Sequence, residues 1–247
     1  LGVAEVSVSN DRIGQFSLAH LCEARDVPAD GHRVLVATDE AVLAIDTAEA
    51  ATVESLGFGP AVAVGVADAP VAAGPDGTVA RYDGTGWIEL GAVNGPRSID
   101  GTLVGSAAGV YRVGDEGLEH VGLEAVHDVA GGPTPYAATS DGLYRLGPGW
   151  TRDLDGEFRV VTAGAGRAHA ATADGLFVRE DGTWRERTVP TDEPIVDVCA
   201  VADGGVVAVT ASGTCLVDPV AAKDGASGWR SRSLGLPDTA AMAVPEQ

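Results

Sequence analysis

The sequence predicts an all-β protein, a seven-bladed β-propeller made of four-stranded antiparallel blades. Three observations lead to this fold class: a recurrent tight turn, short β-rich runs on both sides of it, and tryptophans that follow glycine-containing turns. The turn returns at intervals of 32 to 39 residues, which is a period typical of repeat architectures. Its pivots are Gly2, Ala41, Gly77, Gly109, Gly142, Gly175 and Gly213.

The unit around Gly142 shows the four predicted strands most clearly. Residues 126–130 form a β-rich run, and residues 136–139 form a second one. The segment Ser140-Asp141-Gly142 has hairpin chemistry, because glycine adopts positive φ without steric cost. Residues 143–146 alternate as a half-buried strand does, and residues 150–154 follow the next turn. Four short antiparallel strands in about 33 residues correspond to one propeller blade.

The other units fit the same frame. First, innermost strands are predicted at residues 25–28, 61–66, 97–100, 126–130, 158–163, 195–201 and 240–244. Third strands are predicted at residues 3–8, 42–46, 78–82, 110–113, 143–146, 176–179 and 214–217. Fourth strands are predicted at residues 13–18, 52–56, 87–90, 118–121, 150–154, 184–188 and 229–233. No window of 12 or more residues keeps a helical period, so a helical protein is excluded.

The two termini are predicted to close the ring. The N-terminal segment supplies a third and a fourth strand, and residues 240–244 supply a lone first strand, so together they would form a seventh blade without its second strand. We therefore expect a single domain over residues 1–247 that begins inside a blade of a longer native chain. The alternative is a six-bladed ring with an additional small sheet.

Composition limits the classes of partner. The net charge is −20, from 36 acidic and 16 basic residues, and the one lysine is Lys223. This charge repels nucleic acid and anionic membranes, so neither is an expected partner. The acidic, lysine-poor composition is similar to that of proteins from salt-accumulating halophiles, although an acidic mesophilic protein would also show it. No apolar run reaches 18 residues and no signal peptide is evident, so we expect a cytoplasmic protein.

Two resemblances accompany these patterns. The segments at 82–87 and 180–184, each ending in a tryptophan, resemble a degenerate Asp-box, in which the aspartate ties a turn and the aromatic ring packs between blades. Over essentially its whole length the chain resembles a family of acidic haloarchaeal β-propeller proteins of unknown function, on residues 1–8, 11–16 and 24–27 and the repeats that follow. That resemblance implies a propeller fold and no particular mechanism.

Three aspartates of the predicted first strands lie at one level of the ring. They are Asp26, Asp128 and Asp197, whereas the other readable blades carry Gly65, Ser98 and Val160 there. In a central channel such carboxylates would bind a cation such as calcium, which accepts several oxygen ligands. The alternative is a structural role, in which the aspartates cap turns and pair with neighbouring arginines between blades.

Cationic side chains precede this level in several blades. The residues one position earlier include Arg25, Arg97, His127 and Arg159, which would surround the mouth of the channel. They are candidates for binding a small charged ligand. His127 is the one histidine expected near the channel, and a structural hydrogen bond is the alternative role for it.

No catalytic constellation is recognisable, so catalytic residues are not assigned. The five histidines have no metal-binding spacing, the three cysteines have no disulfide or zinc pattern, and no serine lies in a nucleophile motif. We therefore expect a non-catalytic scaffold, without a resident metal or cofactor, that binds a protein partner or a small ligand. The alternative is a hydrolase or lyase that uses the polar residues at the channel mouth.

Overall fold

The computed structural model describes residues 2–9, 12–47, 52–164, 166–201, 205–218 and 228–245. All regular secondary structure among these residues is β-strand, and no helix that could span a membrane occurs in them. The strands, in chain order, are β1 (Val3–Ser9), β2 (Arg12–His20), β3 (Ala24–Asp26), β4 (Ala29–Asp30), β5 (Arg33–Thr38), β6 (Val42–Asp46), β7 (Val53–Gly57), β8 (Ala63–Val66), β9 (Pro70–Ala73), β10 (Thr78–Tyr82), β11 (Trp87–Ala92), β12 (Pro96–Asp100), β13 (Leu103–Ser106), β14 (Gly109–Gly114), β15 (Gly117–Gly122), β16 (Val126–Ala130), β17 (Tyr136–Thr139), β18 (Gly142–Leu146), β19 (Trp150–Asp155), β20 (Val160–Gly164), β21 (Arg167–Ala171), β22 (Leu176–Glu180), β23 (Thr183–Arg187), β24 (Ile195–Ala200), β25 (Val206–Thr210), β26 (Thr214–Asp218) and β27 (Arg230–Ser233).

Six antiparallel blades form the propeller. Blade 1 has the order β3-β5-β6-β7, with β4 also paired to β5, and blades 2 to 6 consist of β8–β11, β12–β15, β16–β19, β20–β23 and β24–β27. In each blade the strand that comes first in the chain lies at one edge of the sheet. The first strands of successive described blades contact one another from β3 to β24, so they form the inner circumference.

The prediction of seven blades is wrong, because the structure has six. Strands β1 and β2 form a two-stranded sheet of their own, and residues 240–245 form no strand. The backbone of Met242 bonds to side chains instead: its N–H donates to Asp197 Oδ2 at 2.6 Å, and its carbonyl accepts the Cys199 thiol at 3.4 Å. This segment therefore packs beside β24 without pairing with any described strand, and the small sheet β1–β2 does not become a four-stranded blade.

Small apolar side chains fill the space between adjacent blades. The cluster between blades 2 and 3, for example, joins Val71 and Val79 to Ile99 and Val104, all of which are buried. Only a few large rings, such as Tyr136 and Phe158, enter the core. Valine and alanine suit this arrangement because thin sheets that approach closely leave little room for larger side chains.

Tryptophans connect the outer strands, as the Asp-box resemblance implies. The indole of Trp87 donates to the carbonyl of Leu56 in the preceding blade at 2.8 Å, and Trp150 donates to Val121 in the same way at 2.9 Å. Trp184 reaches the carboxylate of Asp153 in the preceding blade. Packing and hydrogen bonding between blades thus explain these three tryptophans without a bound ligand.

Candidate functional site at the channel mouth

Bulges at the beginning of four first strands place the candidate residues at the mouth. The pairing of each of these strands with its second strand is interrupted at one residue, and the bulged residues are Arg25, Arg97, His127 and Val196. A bulge bends a strand and redirects one side chain. Arg25 and Arg97 are exposed and His127 is half-buried at this end, and Arg159 is exposed immediately before β20.

The three aspartates follow their bulges and tie neighbouring first strands together. In each case one carboxylate oxygen accepts the N–H of the next residue, and the other accepts an N–H from the next segment around the ring. Asp26 binds the N–H groups of Val27 and Val64, Asp128 those of Val129 and Val161, and Asp197 those of Val198 and Met242, all at 2.6 to 2.9 Å. All six oxygens thus accept main-chain hydrogen bonds.

Ser98 performs the same linkage in blade 3, since its hydroxyl accepts the N–H of Val129 at 3.0 Å. These acceptor side chains also show which residues of neighbouring first strands lie at the same level of the ring. The N–H groups of Val64, Val129 and Val161 donate equivalent bonds, and Val129 directly follows Asp128. The residue before Val64 therefore lies at the level of the aspartates, and Gly65, two residues beyond this level, does not correspond to Asp26. A side chain at Gly65 would collide with Ile99, since a Cβ there would approach its carbonyl oxygen to 2.6 Å.

The environment of the aspartates disfavours their charged form. Desolvation is the main cause, and it raises the pKa of Asp26 to about 6, that of Asp197 to about 7 and that of Asp128 to about 8. The main-chain hydrogen bonds act in the opposite direction, and repulsion among the aspartates adds to the increase. These groups therefore take up protons in the folded state at a pH where an exposed aspartate would be ionised.

Arg97, His127 and Ser140 form a continuous hydrogen-bonded chain across the mouth. An Arg97 Nη atom donates to the carbonyl of Val126 at 2.9 Å and contacts His127 Nδ1 at 3.0 Å, and His127 Nε2 lies 2.9 Å from Ser140 Oγ. Since a guanidinium only donates, Nδ1 is the acceptor and the proton of the neutral ring is on Nε2. Burial and then the charge of Arg97 lower the pKa of His127, which favours this neutral form.

The other two arginines are paired with carboxylates. Arg25 contacts Glu23 at 3.0 Å and Arg159 contacts Glu157 at 3.1 Å, each two residues earlier in the chain. Among the described residues, no carboxylate lies within ion-pair distance of Arg97, which makes it the least compensated cation of this set. The recurrent Glu-x-Arg spacing in the sequence could have identified the two glutamates.

A channel cation gains no support from this geometry. Within the described part of the chain, no group of three or more histidine, cysteine, aspartate or glutamate side chains is arranged to hold a metal ion. The aspartate oxygens that were candidate ligands already accept main-chain N–H groups.

Solved structures with similar folds include three that align with most of this chain at low sequence identity. The WD40 β-propeller domain of Doa1 aligns with a TM-score of 0.68 at 14% identity, over 87% of this chain and 84% of that one. YCF48 bound to D1 peptide aligns with a TM-score of 0.62 at 15% identity, over 85% and 82%. The computationally designed Ika8 protein aligns with a TM-score of 0.64 at 15% identity, over 90% of each chain. At this identity the similarity concerns the fold alone.

Sequence comparison leads to a family rather than to an activity. No curated protein matches the chain. A family model for HVO_0234-like β-propellers matches residues 1–245, nearly the whole chain, and the protein therefore belongs to the HVO_0234-like β-propeller family.

Proposed function

We propose that this propeller is a non-catalytic binding scaffold that holds a protein partner or a small ligand at the channel mouth. The observation that carries the proposal is the exposed, hydrogen-bonded chain of Arg97, His127 and Ser140 at the end of the channel. Arg97 is held by two contacts, so its remaining N–H groups face solvent with little freedom left to lose on binding.

The charge of the surroundings supports the choice of Arg97. On a chain of net charge −20, Arg97 is the arginine of the candidate site that has no carboxylate within ion-pair distance among the described residues. Guanidinium groups form paired hydrogen bonds with carboxylates and phosphates, so the partner would present an anionic group or main-chain carbonyls. One similar propeller, YCF48, is described as bound to a peptide, which is consistent with a scaffold of this architecture.

The hydrolase or lyase alternative has less support. It relied on Asp26, Asp128 and Asp197 as free acids or bases, but each of their oxygens already accepts a backbone N–H. The neutral His127 is engaged on both ring nitrogens. A general base must reach the proton that it abstracts, and these groups would first have to break a structural bond.

A capture experiment tests the proposal. Immobilised wild-type protein and the variants Arg97→Ala and Arg185→Ala are compared in a high-salt lysate, with bound proteins and small molecules identified by mass spectrometry. Arg185 is an exposed residue of the outer strand β23, so its variant loses the same charge far from the channel. We expect a ligand that is retained by wild type and by Arg185→Ala but is reduced at least tenfold by Arg97→Ala. A ligand that all three retain equally would contradict a site at the mouth.

A further inference from the structure

One edge of the Arg97 guanidinium has no partner among the described residues. Both hydrogens of Nη1 are engaged, since this atom lies 2.9 Å from the carbonyl oxygen of Val126 and 3.0 Å from His127 Nδ1. The remaining three N–H groups, on Nε and Nη2, lie along one side of the planar group, and the residue is exposed. An edge of this kind matches two oxygens of a carboxylate, phosphate or sulfate group.

Arginines reach the mouth from alternate blades. Arg25, Arg97 and Arg159 each precede the level of the aspartates, in blades 1, 3 and 5, and His127 has the same position in blade 4. The glutamates that contact Arg25 and Arg159 are half exposed or more, and exposed ion pairs of this kind hold their partners weakly. An anion at the mouth therefore meets several cations on an otherwise acidic protein.

His127 accepts the hydrogen bond of Arg97 only in its neutral form. The ring faces Arg97 from β12, the Ser140 hydroxyl from the turn after β17, and Glu157 and Arg159 from the segment before β20. Burial and the two arginines lower the pKa of His127, and Glu157 acts in the opposite direction. A negative charge beside Arg97 and the ring would favour the protonated form, whose Nδ1–H would then donate to the anion.

The other carboxylates next to this group are already bonded. Asp128, beside His127 in the chain, is buried and accepts the N–H groups of Val129 and Val161. Asp141, beside Ser140, pairs with Arg152. Neither carboxylate therefore occupies the free edge of Arg97.

We propose that the channel mouth binds a small free oxyanion with two negative charges, of the phosphate or sulfate type, and that His127 takes up a proton when the anion binds. Arg97 and the protonated ring then provide two positive charges against the two of the anion. The anion is small because a surface with a net charge of −20 repels extended polyanions. This ligand class deepens the proposed function and rests on it, because the same site is used.

Calorimetric titration with potassium sulfate tests the proposal at pH 5 and pH 8, at one ionic strength set with potassium chloride. Sulfate keeps both charges over this range, so any proton taken up goes to the protein. We expect at least tenfold tighter binding at pH 5, which corresponds to a rise of about one unit in the pKa of His127 on binding. NMR titration of the histidine rings, with and without sulfate, measures that pKa directly.

Two histidine variants locate the proton. His127→Gln keeps an acceptor for Arg97 but does not titrate, so its affinity for sulfate should be nearly the same at both pH values. His120→Gln changes an exposed histidine on the outer strand β15 and should behave as wild type.

Two arginine variants locate the anion. Arg97→Ala should weaken sulfate binding at least tenfold at pH 5. Arg185→Ala removes the same charge from the outer strand β23 and should weaken binding far less. Equal losses in the two variants would show a general effect of charge and would overturn the site.

The remaining outcomes are equally decisive. Absence of sulfate binding, or equal affinity at both pH values, would refute the proposal. A pH dependence that persists in His127→Gln would place the proton on the buried aspartates instead. These failures differ from failure of the scaffold, since a partner captured through Arg97 by a protein that does not bind sulfate would support the scaffold and refute only the oxyanion.

Discussion

Asp128 in blade 4 accepts the N–H of Val161 in blade 5 at 2.8 Å, while its second oxygen accepts the N–H of Val129 in its own strand at the same distance. The first strands of adjacent blades are not paired in a hydrogen-bonded ladder, so side chains of this kind are the polar links along the inner circumference. Asp26 and Asp197 act in the same way. The channel aspartates thus have a structural role that their charge alone does not reveal.

Removing this link should destabilise the protein at mildly acidic pH. In Asp128→Ala the N–H of Val161 loses its acceptor, whereas the N–H of Val129 keeps its bond to the Ser98 hydroxyl. Leaving this one buried donor without an acceptor should cost about 2 kcal/mol. Asp128→Ser should cost only about 1 kcal/mol, because Ser98 already shows that a serine at this level accepts the N–H of the next blade. Urea unfolding at pH 5 and constant salt measures both variants. Equal losses for alanine and serine would contradict the role of the hydrogen bond.

The advantage of Asp128 over serine should decrease as the pH rises. The pKa of Asp128 increases from 3.8 to about 8 on folding, mainly by desolvation, so between these values the folded state binds more protons than the unfolded state. The protonated Asp128 side chain therefore makes its full contribution to the unfolding free energy below pH 4, and this contribution is lost progressively as the pH rises to about 8. The difference in unfolding free energy between wild type and Asp128→Ser should therefore fall by more than about 1.4 kcal/mol, the equivalent of one pKa unit.

Unfolding curves at intervals from pH 4.5 to 8.5 measure this trend. Asp83, whose pKa is lowered by hydrogen bonds within its own exposed turn, provides the control. Asp83→Asn should show a constant difference from wild type over the same range, because Asp83 is ionised throughout it in both states. A constant difference for Asp128→Ser as well would show that the carboxylate is not desolvated.

The repeat in the sequence predicts the strands well but not their assembly into blades. The third strands after Gly77, Gly109, Gly142, Gly175 and Gly213 are confirmed as β10, β14, β18, β22 and β26. The first strand predicted at residues 240–244 is absent, because the backbone of Met242 bonds to the side chains of Asp197 and Cys199 instead of pairing with a strand. Strand propensity in a short segment does not indicate which partner will satisfy its N–H and C=O groups.

The sequence predicts the positions of the candidate site residues better than it predicts their roles. The residue types at the first strands indicated which side chains reach the channel mouth, and Arg97 and His127 do lie together there. The links from Asp26 to Val64 and from Asp128 to Val161 join residues 38 and 33 positions apart. Such links depend on how neighbouring blades are offset, and a two-residue difference in register, as at Gly65, is not visible in the sequence.

Gly77 should tolerate no side chain at its pivot. Its φ is +97°, and a Cβ would lie 2.4 Å from the carbonyl oxygen of Val93, so Gly77→Ala combines an unfavourable backbone conformation with a collision against main chain. We expect a loss of at least about 2 kcal/mol in unfolding free energy. Gly86→Ala is the control, since nothing lies within 4 Å of a Cβ there and its φ is not positive. A comparable loss at Gly86 would mean that the collision is not the cause.

Trp150 should contribute stability through its indole N–H as well as through packing. Trp150→Phe keeps an aromatic ring and removes the hydrogen bond to the carbonyl of Val121, which should cost about 1 kcal/mol or more. Trp229 is the matched comparison, because its buried Nε1 has no hydrogen-bond partner among the described residues. Trp229→Phe should therefore cost less than Trp150→Phe in the same thermal and urea unfolding assays. The reverse order would show that ring packing, not the hydrogen bond, determines the effect.

Salt should stabilise the folded chain strongly. A net charge of −20 opposes the compact state through self-repulsion, and the Debye length decreases from about 10 Å at 0.1 M to about 3 Å at 1 M salt. The unfolding midpoint in urea should therefore rise between 0.1 and 1 M KCl. Potassium chloride is suitable because, unlike sulfate, it does little to strengthen apolar burial through exclusion from the protein surface.

A variant that replaces the exposed residues Glu54, Glu89 and Glu119 with glutamine has less negative charge on three outer strands. Its unfolding midpoint should therefore rise less with salt than that of wild type. An equal response would show that salt acts through apolar burial, not through screening of the acidic surface.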